Sequence, residues 1–91
     1  MKVVFTDHAR QQMDERNISE MQVRNTVILP MQVVRSESGR YIAQRIYKKD
    51  SREMLLRVFY EKKNGENVVV TAYWTSKITK YYPRRQNESQ V

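Results

Sequence analysis

Two helical stretches followed by a run of strands predict an α+β domain, with both helices on one face of a four-stranded antiparallel meander. Three observations carry that expectation. Residues 6–29 pair capping residues with apolar positions at helical spacing, the pattern changes to β from Met31 onward, and Asn64-Gly65 between two such runs is a strong hairpin signal.

Lys2-Val3-Val4-Phe5 reads as a short β-like entry, and Thr6 then suits the N-cap of a helix through about Arg16. Phe5, Ala9 and Met13 recur at four-residue spacing and give that helix an apolar stripe. Asn17 fits its C-terminal turn. Ser19 and Gln22 have capping-box spacing, with Ile18 and Val23 as the hydrophobic staple, so a second helix should run to about Leu29 before Pro30. The expected strands are Gln32 to Ser36, Arg40 to Tyr47, Met54 to Glu61 and Val68 to Thr75. Ser38-Gly39, Lys49-Asp50-Ser51 and Asn64-Gly65 separate them. Segment 83–91 is polar and is expected to form a flexible tail after a single domain of residues 1–82.

Register in the last hairpin follows from keeping apolar residues together. A three-residue loop of Lys63-Asn64-Gly65 would set Arg57 opposite Thr71 and keep Met54, Leu56 and Val58 on one face with Val68, Val70, Ala72 and Trp74. Arg57, Thr71 and Tyr73 then share the face opposite the helices, joined by Lys77 if the strand continues.

Composition narrows the function. With 91 residues the chain supports one core, and the absence of cysteine removes disulfides and cysteine-based zinc sites. Neither a signal-peptide h-region nor a run of roughly 20 apolar residues is present, so a soluble cytoplasmic protein without membrane association is expected. The net charge is +7, yet residues 1–29 balance Lys2, Arg10, Arg16 and Arg24 against Asp7, Asp14, Glu15 and Glu20. The whole excess lies downstream. A polyanion partner fits this polarity, as does a solvated basic surface.

Arg57 beside Thr71 and Tyr73 has the donor geometry to grip a phosphate, although an arginine covering apolar surface with its stem is the plainer reading. Trp74 to Tyr82 interleaves Lys77 and Lys80 with Tyr81 and Tyr82, which suits charge neutralisation with base stacking, or packing at the end of the core. His8, the one histidine, is a candidate general base in the first helical turn, where an ordinary surface role is commoner. No second histidine accompanies it, so no metal site and no cofactor are expected.

The stretch F-T-D-H-A-R-Q-Q-M-D-E-R-N-I-S, then L-L-R-V-F-Y, V-V-V-T-A-Y and a closing K-x-x-K-Y-Y, resembles small bacterial domains that are similar to the RelE/ParE and BrnT toxins. The resemblance implies a sheet packed on two helices and, often, metal-independent cleavage of mRNA under control of an acidic antitoxin. Carried across, it places Arg57 at a mid-strand basic site, Lys77 at the basic site ending the last strand, Tyr81 or Tyr82 at a C-terminal aromatic position, and His8 at an N-terminal H-A. RelE-type toxins commonly carry arginine where Lys77 stands. The expected catalytic set is His8, Arg57, Lys77, Tyr73 and Tyr81, with Thr71, Lys80 and Tyr82 binding RNA, free or ribosome-bound. A non-catalytic RNA-binding module and a ParE-like, protein-targeting toxin are the alternatives.

Overall fold

The computed structural model describes residues 2–82, and its long helices start where capping chemistry places them. Thr6 accepts from the Ala9 N–H at 3.0 Å and opens α1 (Asp7–Glu15). Ser19 and Gln22 form both bonds of a capping box ahead of α2 (Glu20–Ile28). Between the helices Asn17 takes φ 56°, a left-handed conformation that asparagine tolerates.

The strands are β1 (Lys2–Phe5), β2 (Gln32–Arg35), β3 (Tyr41–Lys49), β4 (Arg52–Lys63) and β5 (Glu66–Thr75), in the spatial order β1-β5-β4-β3-β2. The antiparallel meander of β2 to β5 matches expectation. The N-terminal strand corrects it, because β1 pairs parallel with β5, Val3 beside Asn67 and Phe5 beside Val69, so the sheet is five-stranded and mixed. This pairing covers part of an edge of β5 that the meander alone would leave open.

Both long hairpins close in two residues. Asp50 and Ser51 have φ 53° and 67°, and Asn64 and Gly65 have φ 51° and 76°, the turn geometry that matches strand twist. Lys63 therefore faces Glu66, and the expected three-residue loop is not formed. The mismatch it was meant to absorb is absorbed instead by a bulge in β5. Tyr60 pairs with Val69 but Phe59 pairs with Thr71, which leaves Val70 as the extra residue. Arg57 accordingly faces Tyr73 rather than Thr71.

The bulge also changes which valines enter the core. Val69 is fully buried with Val3 and Tyr60 on the helical face, whereas Val68 and Val70, both expected there, are only half-buried. Ala9, Met13, Val23 and Val27 from the helices pack on Ala43, Leu56, Val58 and Ala72 from the sheet. A third helix, α3 (Ile78–Tyr81), was not expected. It lies against the other face, so the helices do not all share one side. Segment 83–91, expected as a tail, lies outside the described residues.

Two tests of this packing follow. Deleting Val70 should cost about 4 kcal/mol or more, because a one-residue slip turns one strand of the pair over, whereas Ser19→Ala should cost about 1 kcal/mol. Denaturant unfolding that ranks the two the other way would contradict the role given to the bulge. The second test concerns Tyr60, whose phenol is pushed above its usual 10.0 by burial and by the neighbouring Tyr41. The folded chain holds that proton more tightly, so the contribution is complete below the unfolded value and is lost as pH rises through the higher folded one. Tyr60→Phe should flatten the alkaline loss of melting temperature, and an unchanged slope would refute the assignment.

Candidate functional site

Antiparallel pairing sets one polar residue from each of four strands into a single row on the face opposite α1 and α2. Gln32 faces Gln44, Gln44 faces Arg57, and Arg57 faces Tyr73. The row is bonded end to end. Gln44 Nε2 donates to Gln32 Oε1 at 2.7 Å, Arg57 Nε donates to Gln44 Oε1 at 2.6 Å, and Arg57 Nη1 donates to the Tyr73 hydroxyl at 2.5 Å.

α3 closes over this row. The Tyr81 ring lies 4.1 Å from the guanidinium carbon of Arg57, and the Tyr81 carbonyl accepts from Gln44 Nε2 at 3.0 Å. Phe59 and Tyr73 complete an aromatic surround at 5.5 and 5.7 Å. Arg57 is thereby reduced to 8% exposure, which corrects the expectation of an arginine standing on an open sheet face. Leu55 and Ile42 on the same face are buried too.

A buried guanidinium normally sits with a carboxylate, since an unpaired charge in low dielectric is costly. Among the described residues no ion pair involves Arg57; its partners are an amide, a hydroxyl and three aromatic rings. Nη2 bonds no acceptor among the described residues. A preorganised cation whose remaining donor bonds no acceptor among the described residues is suited to receive an anion's oxygens.

Basic residues stand nearby, with Asp50 and Glu53 among them at the β3–β4 turn. Lys77 caps α3 and is exposed, and Lys80 stands 5.1 Å from the Tyr81 ring. Lys48, Lys49 and Arg52 flank the β3–β4 turn at the same end of the sheet, where Leu55 pairs with Thr75. Lys77 does not continue β5, which ends at Thr75. Tyr82 is half-buried behind α3.

Two expected residues lie apart from Arg57. Thr71 bonds Gln12 of α1 through its hydroxyl, and Arg16 donates to it at 3.4 Å and to the Ala72 carbonyl at 2.8 Å. His8 is exposed and lines an open groove of about 390 Å³ with Thr6, Gln12, Arg40, Val70 and Thr71. No hydrogen bond joins His8 to the polar row among the described residues. Gln44, fully buried, was missed in the sequence. A two-residue Asp50-Ser51 turn would have shown it opposite Arg57. Among the described residues, no group of three or more His, Cys, Asp or Glu side chains stands together as metal ligands.

Residues 5–74 match the model of a family described as a domain of unknown function, DUF4258. The chain belongs to the DUF4258 family. The matched segment holds Gln44, Arg57 and Tyr73, while α3 with Lys77, Lys80 and Tyr81 follows it. Among curated proteins and solved structures, none matches the chain. No described helix is long and apolar enough to cross a membrane.

Gln44 is the joint between Arg57 and α3, so Gln44→Leu should destabilise the DUF4258 domain by about 1–3 kcal/mol through the unpaired Arg57 Nε and Tyr81 carbonyl. Tyr73→Phe, which removes one hydroxyl from a charged donor, should cost about 1–2 kcal/mol. Thermal melts test both. Wild-type stability in Gln44→Leu would show that the row holds nothing together.

Proposed function

We propose that this DUF4258 chain is an RNA-directed, toxin-like protein whose Arg57 row binds the sugar–phosphate backbone and promotes metal-independent cleavage. The observation that carries this reading is the buried guanidinium of Arg57, oriented by Gln44 and Tyr73 and without a carboxylate partner among the described residues. A phosphate supplies the countercharge that no described carboxylate provides. Attack of a 2'-hydroxyl on its neighbouring phosphate forms the 2'-O–P bond and loses the hydroxyl proton, and it breaks the P–O5' bond to leave a 2',3'-cyclic phosphate and a 5'-hydroxyl. Negative charge builds on the equatorial oxygens, where a fixed guanidinium contributes most. In this reading Tyr73, whose hydroxyl accepts from Arg57, passes its proton to the leaving 5'-oxygen, Tyr81 offers a face for base stacking, and Lys77 and Lys80 neutralise the flanking backbone. The toxin assignment rests on the sequence resemblance. An acidic antitoxin segment would silence such a surface by charge complementarity.

A second reading is a non-catalytic RNA-binding module. It is favoured by the Tyr81 ring lying over Arg57 and by His8 making no hydrogen bond to the row among the described residues. In that case the same residues bind without cutting.

Incubating purified protein with single-stranded RNA in EDTA, alone and with ribosomes, separates the two. Cleavage should persist in EDTA and fall by about tenfold or more in Arg57→Lys, which keeps the charge and loses the fork. Binding without cleavage, weakening linearly with salt on logarithmic axes, would select the module. Absence of both binding and cleavage would refute an RNA target.

A further inference from the structure

The Val70 bulge does more than restore register. In such a bulge the extra residue and its successor turn to the same side of the sheet, and Val70 and Thr71 both line the groove that holds His8. Arg40 reaches the groove from the β2–β3 connection, steered by its Nε bond of 2.9 Å to Glu61. That bond, with Lys63 adding to it, holds the Glu61 carboxyl below the usual carboxylate range.

The groove is composite, drawing on α1, the β2–β3 connection and β5. Its floor is apolar at Val70, and its rim carries hydrogen-bonding groups at Thr6, Gln12 and Thr71, an imidazole at His8 and a guanidinium at Arg40. Gln12 is locked by the Thr71 hydroxyl on its Oε1, which leaves its amide NH₂ without a protein acceptor among the described residues. An apolar seat with fixed polar edges and one cation at the rim matches a nucleobase with its phosphate.

Position links the groove to the polar row. On this face the residue pairs along β4 and β5 run from Arg57–Tyr73 to Phe59–Thr71 and then to the bulge. Four residues of strand separate Arg57 from Glu61, about 13 Å at strand rise. Phe59 bridges the interval, its ring 6.0 Å from that of Tyr73. An extended single strand held at Arg57 would cross Phe59 and enter the groove within a few nucleotides.

We infer that the His8–Arg40 groove is a second RNA subsite, taking a base and phosphate of the strand a few nucleotides from the phosphate that lies at Arg57. This rests on the RNA reading of the Arg57 row. It assigns His8 to binding at the groove.

Fluorescence anisotropy with labelled single-stranded RNA trimers and hexamers tests the inference on the full chain. The double variant His8→Ala, Arg40→Gln alters exposed side chains, and its melting curve checks the fold. It should bind the hexamer about tenfold more weakly than wild type, the worth of one stacked base, while trimer binding stays the same. Backbone amide NMR should show Val70 and Thr71 moving with the hexamer alone. If both oligomers move the Arg57 and Tyr73 amides but Val70, Thr71 and hexamer affinity stay unchanged in the variant, the subsite is overturned and the row stands. Arg57 and Tyr73 amides unmoved by either oligomer would overturn the RNA reading, and the subsite with it.

Discussion

A guanidinium taken out of water must be given acceptors, and here they are neutral. Arg57 spends Nε on Gln44 and Nη1 on Tyr73, and lies under the ring of Tyr81. Much of the face opposite α1 and α2 is arranged around that need. Gln44 turns its oxygen to the guanidinium and its NH₂ to Gln32 and to α3, so its amide orientation is fixed by chemistry on both sides. Cation–π contact with a desolvated arginine is worth about 2 kcal/mol, enough to help seat a helix of one turn that has no side-chain cap. Among the described residues no carboxylate pairs with Arg57, and the proposed anion site rests on that.

The helical half of the chain was legible because its signals are local. Thr6, Ser19, Gln22, Asn17 and Pro30 each act within one turn of their own position, and their roles match expectation. Strand pairing was legible in outline for the same reason, since the Asn64-Gly65 turn declares itself. The register was not. Apolar segregation demanded a one-residue offset, but whether a loop or a bulge supplied it depends on how Val69 packs with Val3 and Tyr60, residues far apart in sequence. Parallel pairing of β1 with β5 has no local signal either, because the whole meander intervenes.

The site was half legible. Arg57 and Tyr73 were placed on one face, and they meet there; Tyr81 joins them, through a helix that sequence patterning did not announce. Thr71 was drawn into the cluster by a register that set it opposite Arg57, and His8 by its chemistry and the sequence resemblance, neither of which measures distance across the fold. In the folded chain the bulge and α1 gather them into a groove of their own. Gln44 escaped notice since a glutamine in a strand carries no signal until its cross-strand neighbour is known.

Whether this arginine is held for an anion or for packing is decided most directly at its own side chain. The Nε–H resonance of Arg57, followed by NMR as single-stranded RNA is added to the full chain, reports the bond to Gln44 and the field of any phosphate beside it. With an anion at the guanidinium, the resonance should shift and saturate with RNA concentration, and the Tyr81 ring protons should move with it as the aromatic cover adjusts. An Arg57 Nε–H signal unmoved at saturating RNA would show that the guanidinium is a structural cation, and the row would then serve the fold alone.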